Sequence, residues 1–194
     1  MLKGIIVKNI SDIYTVKVNQ DLYDCKARGK FRQSGLTPLV GDAVEIDPEN
    51  NYILNILERK NELVRPSISN VDVALIITSV KKPDLSTYLL DKQISSITLA
   101  KIEPVICFTK LDLLSKNEIK DLKKIMKYYQ QIGYHVYTNL KVKKLLKYLK
   151  KKTVVLTGQT GAGKSSFLNQ IDKTLNLRTG EISEALGRGR HTTR

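Results

Sequence analysis

Nine consecutive residues of this chain, Gly158-Gln159-Thr160-Gly161-Ala162-Gly163-Lys164-Ser165-Ser166, have the types and spacing needed to hold phosphate. Residues 158–165 fit G-x-x-x-x-G-K-[ST], the pattern of a phosphate-binding loop. Glycines let main-chain N–H groups come close to phosphate oxygens. A helix starting just beyond them adds the positive end of its dipole. Lys164 is placed to bridge β- and γ-phosphates, and the Ser165 hydroxyl to hold Mg²⁺. Catalysis at such a site is positioning and charge stabilisation, with Lys164 as the local cation. A glycine-rich turn could match by chance, but the flanks are those the motif requires. Thr153-Val154-Val155-Leu156-Thr157 reads as a strand, and Ser166-Phe167-Leu168-Asn169-Gln170-Ile171 can open a helix.

The elements that must position this loop are read from periodicity. From residue 71 onward, near-continuous apolar runs alternate with amphipathic stretches. Val71-Asp72-Val73-Ala74-Leu75-Ile76-Ile77-Thr78-Ser79-Val80 is the run expected of a strand buried on both faces. A helix fits from about Ser86 to Ala100, with Leu90, Ile94 and Ile97 on one face. Glu103-Pro104-Val105-Ile106-Cys107-Phe108 is the next strand. Ser115 and Glu118 form a capping box that opens a helix with a stripe of Ile119, Leu122, Ile125, Met126 and Tyr129, stopped by Gly133. A short strand (His135-Val136-Tyr137-Thr138) precedes an amphipathic segment over 141–152, with Val142, Leu145, Leu146 and Leu149 inward. Its lysines read as the solvated face of a helix. The alternation predicts a doubly wound α/β domain.

The first sixty residues follow another rule, alternating apolar and polar at period two. Stripes at Tyr14, Val16 and Val18, at Tyr23, Cys25 and Ala27, at Val44 and Ile46, and at Tyr52, Leu54 and Ile56 join a first strand around Ile5. Five short strands suggest a small closed barrel of the OB type, although an SH3-like barrel or a small sandwich reads much the same. Lys3, Lys8, Lys17, Lys26, Arg28, Lys30 and Arg32 give it a cationic exterior, suited to nucleic acid or simply to water. The polar stretch ending in Val64-Arg65-Pro66 fits a boundary, giving expected domains of 1–62 and 63–194. Over the whole chain, 33 Lys and Arg against 19 Asp and Glu leave a formal charge of +14, which favours polyanionic partners. No apolar run is long enough to span a bilayer. Two cysteines, Cys25 and Cys107, offer neither a disulfide framework nor a metal cluster and read as buried thiols. A cytoplasmic protein is expected.

A second motif follows the strand at 103–108. Thr109-Lys110-Leu111-Asp112 resembles the guanine-specificity motif of GTPases, Asn-Lys-x-Asp, with Thr109 in place of Asn. The Asp112 carboxylate can accept hydrogen bonds from N1–H and the 2-amino group of guanine, both of which adenine lacks. Buried polar pairing of this kind discriminates by several powers of ten. The alkyl stem of Lys110 can lie along the base plane. This base motif precedes the phosphate loop, the order of circularly permuted GTPases. Leu186-Gly187-Arg188-Gly189-Arg190-His191-Thr192-Thr193-Arg194 looks like a first switch, and with the barrel, the Val64-Arg65-Pro66 entry and residues 158–166 it resembles the small-ribosomal-subunit biogenesis GTPase family over essentially the entire chain.

The resemblance implies a GTP- and GDP-binding, GTP-hydrolysing monomer acting late in small-subunit assembly, its turnover stimulated by the ribosome. Its partners would be the small ribosomal subunit and its rRNA, with no membrane. It further implies that Thr192 or Thr193 joins Ser165 as a Mg²⁺ ligand and senses the γ-phosphate. His191 would either orient the attacking water or pack structurally on the switch. Two departures stand out. Tyr137-Thr138-Asn139-Leu140 matches the Ser-Ala-like base-edge loop poorly. The Asp-x-Pro-Gly motif and the zinc domain that should follow residue 194 are absent from these residues. A truncated GTPase domain is therefore expected, weak or inactive alone, with zinc confined to the missing part. Two rivals remain open: a P-loop ATPase or small-molecule kinase, which leaves Asp112 without a task, and a catalytically idle RNA-binding module.

Overall fold

The computed structural model describes residues 1–29, 31, 35–175, 177, 182–183 and 188–189. They form two compact units, residues 1–71 and 72–194.

In the first unit β1 (Leu2–Ile10), β2 (Ile13–Val18), β3 (Asp21–Ala27), β4 (Ala43–Asp47) and β5 (Tyr52–Ile56) close into a barrel of order β1-β2-β3-β5-β4. β5 pairs parallel with β3 and antiparallel with β4, which is the OB arrangement rather than a sandwich. The core is Ile6, Tyr14, Val16, Val18, Cys25, Phe31, Val44, Ile46 and Ile53. Simple alternation fails twice, each time at a bulge. Val7 is the extra residue between the pairs Ile6–Val16 and Lys8–Thr15. Leu54 is the extra residue between Glu45–Asn55 and Ile46–Ile53. The second bulge moves the inward stripe of β5 from the expected Tyr52 and Leu54 onto Ile53, because one inserted residue turns every later side chain over.

The barrel is locked by an ion pair. Asp42 is fully buried, and the Arg59 guanidinium meets it through both carboxylate oxygens, at 2.7 and 2.8 Å. Ser69 Oγ donates to the same carboxylate at 2.6 Å and Leu39 N at 2.7 Å. Ser69 belongs to a two-strand hairpin, β6 (Glu62–Leu63) with β7 (Ile68–Ser69). Gly41 must be glycine: its φ is +96°, and a Cβ there would lie 2.1 Å from Ser69 O.

In the second unit β8 (Val73–Ser79), β9 (Glu103–Thr109), β10 (His135–Thr138) and β11 (Val154–Thr157) form an all-parallel sheet of order β10-β9-β8-β11. The helices are α1 (Thr87–Leu99), α2 (Lys116–Gln131), α3 (Val142–Leu149) and α4 (Lys164–Ile171). Val73, Leu75, Ile77, Val105 and Cys107 pack with Leu145 of α3 and Phe167 of α4. Val142 and Leu149 join them at the margin, whereas Leu146, expected inward, is exposed because a helix of two turns offers the sheet only one narrow face. The intervening residues Ala74, Ile76, Ile106 and Phe108 are equally buried and face the other side. There α1 packs on β8 and β9, and the Tyr129 hydroxyl of α2 donates to Asp91 of α1 at 2.6 Å. Helices therefore cover both faces. Both bonds of the expected capping box are present, Glu118 N to Ser115 Oγ and Ser115 N to Glu118 Oε2. Burial pushes the Cys107 thiol to about 12, so it is inert. Among the described residues, β12 (Ile182–Ser183) and β13 (Arg188–Gly189) pair antiparallel, and no helix is long and apolar enough to cross a membrane.

The barrel lock yields a prediction. Arg59→Met leaves Asp42 charged and buried without its partner, which costs about 3–5 kcal/mol. The denaturant midpoint of the barrel's unfolding should fall accordingly; an unchanged midpoint would show that the pair is dispensable.

Candidate functional site

All strands of the sheet run the same way, so their C-terminal ends share one edge, where ligands of open α/β sheets bind. Each ends in a hydroxyl residue: Ser79, Thr109, Thr138 and Thr157. From that edge emerge the loop after β8, the Lys110 to Asp112 turn, the Asn139 loop and the glycine-rich loop. β9 and β11 flank β8.

The glycine-rich loop leaves β11 at Gly158, whose φ is +133°. A Cβ at that position would stand 2.2 Å from Ile77 O, so the loop passes over β8 as only glycine allows. Gly161 and Gly163 are also left-handed, at φ +78° and +91°. Ala162 N closes the turn onto Gln159 O at 3.1 Å, and α4 begins at Lys164. The Lys164 ammonium donates to Gly158 O and Gln159 O, both at 2.9 Å, while burial holds its pKa below the usual lysine range. Ser165 follows in the first turn of α4, and Ser166 beyond it is exposed.

The two motifs meet through one hydroxyl. Thr109 Oγ1, buried at the end of β9, donates to Ala162 O at 2.6 Å. Lys110 sits left-handed at φ +61°, and its ammonium donates to Lys82 O in the loop after β8. Burial lowers its pKa, and the charge of Asp112 opposes that effect. Leu111 and Asp112 lie in a short 3₁₀ turn spanning Leu111–Leu113, with the Asp112 carboxylate exposed to solvent. His191, Thr192 and Thr193 lie outside the described residues.

The braces around this turn are not visible in the sequence. Lys81 Nζ binds Glu118 Oε1 at 2.8 Å, and that bond, ahead of those from Ser115, holds the Glu118 carboxyl at about 2. Lys81 thus reaches from the loop after β8 to α2, while Lys110 reaches back to the loop after β8. The capping box declares itself locally, but a partner 37 residues upstream does not. On the other flank, Gln170 Nε2 of α4 donates to Asn139 O at 3.1 Å. Asn139 Oδ1 is buried without a hydrogen-bond partner among the described residues.

The donor set fits a phosphate-bound Mg²⁺. Such an ion keeps several waters and takes few protein ligands besides phosphate oxygens. On this loop the hydroxyl beside the lysine is that of Ser165, and among the described residues no group of three or more carboxylate, imidazole or thiol side chains is placed to hold a metal ion.

Comparison with known proteins agrees with this geometry. A family model described as RsgA GTPase matches residues 56–194, and one described as RsgA N-terminal domain matches residues 3–53. The chain is 49% identical over 203 aligned positions to the small ribosomal subunit biogenesis GTPase RsgA of Limosilactobacillus fermentum, covering all of this chain and 69% of that protein. It is 43% identical to the protein of the same name from Caldanaerobacter subterraneus, again over its whole length and 67% of the relative. Among solved structures it resembles YjeQ from Thermotoga maritima, with a TM-score of 0.79 and 34% identity, covering 91% of this chain and 67% of the other. It also resembles YloQ, described as a circularly permuted GTPase, with a TM-score of 0.72 and 35% identity over 97% and 69%.

Thr109→Val removes the hydroxyl that joins the two motifs while keeping the side chain's shape. The Ala162 carbonyl loses its donor at a cost of about 1–3 kcal/mol. Nucleoside diphosphate affinity, read by fluorescence titration, should fall about tenfold, and Thr109→Ser should restore most of it.

Proposed function

The chain belongs to the RsgA GTPase family, and on that premise we propose roles for its residues in a GTP-hydrolysing factor of small-ribosomal-subunit biogenesis. The observation that carries this reading is the Thr109–Ala162 hydrogen bond, which couples the base-reading turn to the phosphate loop. One nucleotide then lies along the C-terminal edge, base toward β9 and phosphates over β11. Asp112 accepts from N1–H and the 2-amino group of guanine, and Lys110 lines the base plane with its alkyl stem. Main-chain N–H groups of residues 158–163, with the N-terminus of α4, cradle the phosphates.

Lys164 exchanges its loop carbonyls for β- and γ-phosphate oxygens and stabilises charge on the transferring group. Ser165 would hold Mg²⁺, joined by Thr192 or Thr193. When bound, the ion neutralises charge that develops between the β- and γ-phosphates. His191 is assigned to orient the attacking water. The barrel unit, residues 1–71, binds rRNA through its cationic exterior, and residues 72–194 carry the nucleotide chemistry. GTP keeps the switch segment ordered in a subunit-bound, cytoplasmic state late in assembly, and hydrolysis, stimulated by the ribosome, releases it.

Titration with fluorescent GDP, XDP and ADP tests the assignment. Wild-type chain should prefer GDP over ADP by at least about a hundredfold. Asp112→Asn should lose GDP and gain XDP, because the amide now offers a donor to the xanthine 2-oxo group. Equal binding of ADP, with no change in Asp112→Asn, would favour an ATPase or kinase. Lys164→Ala should weaken nucleotide binding at least about tenfold; an unaltered affinity would favour an idle RNA-binding module.

A further inference from the structure

We infer that the outer face of α3 is a second polyanion-binding surface, on the GTP-binding unit itself, that docks the phosphate backbone of structured RNA. The inference rests on the proposed role at the small ribosomal subunit and adds a site that the barrel does not supply. Lys141, Lys143, Lys144, Lys147, Lys150 and Lys151 lie on or beside this eight-residue helix, and all six are exposed. No acidic residue occurs between positions 139 and 153. Among the described residues none of the six forms an ion pair with a carboxylate.

What sets this stretch apart from the lysine-rich surface of α2 is that no acid lies within it. α2 is also lysine-rich, but it interleaves acids: Lys124 pairs with Asp121 at 2.8 Å, and Glu118 takes Lys81. Lys152, next in sequence after the six, is a structural residue. Its ammonium lies 3.1 Å from Glu103 Oε2 and 3.8 Å from the centre of the Tyr148 ring. α2 sets five lysines among two acids, whereas the stretch 141–151 sets six lysines among none.

That gathering opposes helix formation. Lys143 and Lys147 repel at i,i+4, Lys144 and Lys147 at i,i+3, and Lys141 sits at the positive end of the dipole with no side-chain cap. Leu145 buried in the sheet core, with Val142 and Leu149 packed against that core, holds the helix in spite of this. Lys143, Lys144 and Lys147 are consequently held on the exposed side of the helix. Lys143 and Lys144 stand about one helical turn, about 5 Å along the axis, from Lys147, a spacing that suits neighbouring phosphates. Shape and backbone contact of this kind is how duplex RNA is recognised.

The test compares wild type with Lys143→Gln/Lys144→Gln/Lys147→Gln and with the corresponding triple Arg variant. Each is titrated against an RNA hairpin and against purified small subunits over a range of salt. Binding of GDP to each variant reports that the second unit remains folded. The Gln variant should lose roughly tenfold in affinity at low salt, with its log–log salt slope shallower by about two to three, while the Arg variant binds as wild type does. An unchanged affinity and slope in the Gln variant, with GDP binding intact, would overturn the inference and leave the GTPase reading standing. Wild-type binding to phosphatidylserine vesicles as tight as to RNA, lost in the Gln variant, would also overturn it, in favour of a membrane surface. If wild-type chain bound GDP but neither RNA nor subunits, the parent reading would fall with the inference.

Discussion

Strands that all run the same way bring their C-terminal ends, and every loop leaving them, to one edge, and the candidate site depends on that constraint above any other. Thr109 and Ala162 are 53 positions apart in sequence, yet they share a hydrogen bond of 2.6 Å. The bond exists because β9 and β11 flank β8 in register, with Ser79 opposite Thr109 and Thr157 opposite Ile76. A hydroxyl has short reach, so the phosphate loop must pass close over the sheet. Gly158 makes that possible, since any side chain there would strike Ile77 O. Sheet direction, strand order and one glycine thus fix where a base and its phosphates can lie.

What is legible in the sequence is local. The phosphate loop, the base turn, the Ser115–Glu118 capping box and the apolar runs of β8 and β9 each declare themselves within a few residues. The barrel type follows from strand count and resemblance, but the inward face of β5 does not, because a bulge at Leu54 leaves no compositional trace. The Asp42–Arg59–Ser69 lock is invisible for a different reason: its members are separated by 17 and 27 positions, and each alone looks like an ordinary surface residue. The Lys81–Glu118 brace is hidden in the same way. Side chains that act through tertiary contact carry no periodic signal.

The two edges of the parallel sheet are used differently. At the N-terminal edge, Glu103 gathers the Tyr148 hydroxyl, the Lys152 ammonium and, at 3.8 Å, His135 Nε2. Burial raises the Glu103 pKa, yet these hydrogen bonds bring it below the usual carboxylate range. Its polar groups are satisfied by one another. At the C-terminal edge, Asp112 stands in solvent and the Asn139 side-chain oxygen has no partner among the described residues. Saturated polar groups hold a fold together, whereas unsaturated ones are available to a ligand.

The Asp42 carboxylate also decides where the barrel ends as an object that can be handled separately. Its five strands are complete at Ile56, but Arg59 and Ser69, which satisfy that carboxylate, lie beyond the last of them. A piece cut just after the fifth strand would keep every rung of the sheet and still hold an orphaned anion in its interior. The smallest portable barrel therefore runs through the hairpin to residue 71, where the compact unit itself stops. Connecting chain that looks like mere tether is, in this protein, part of what it connects.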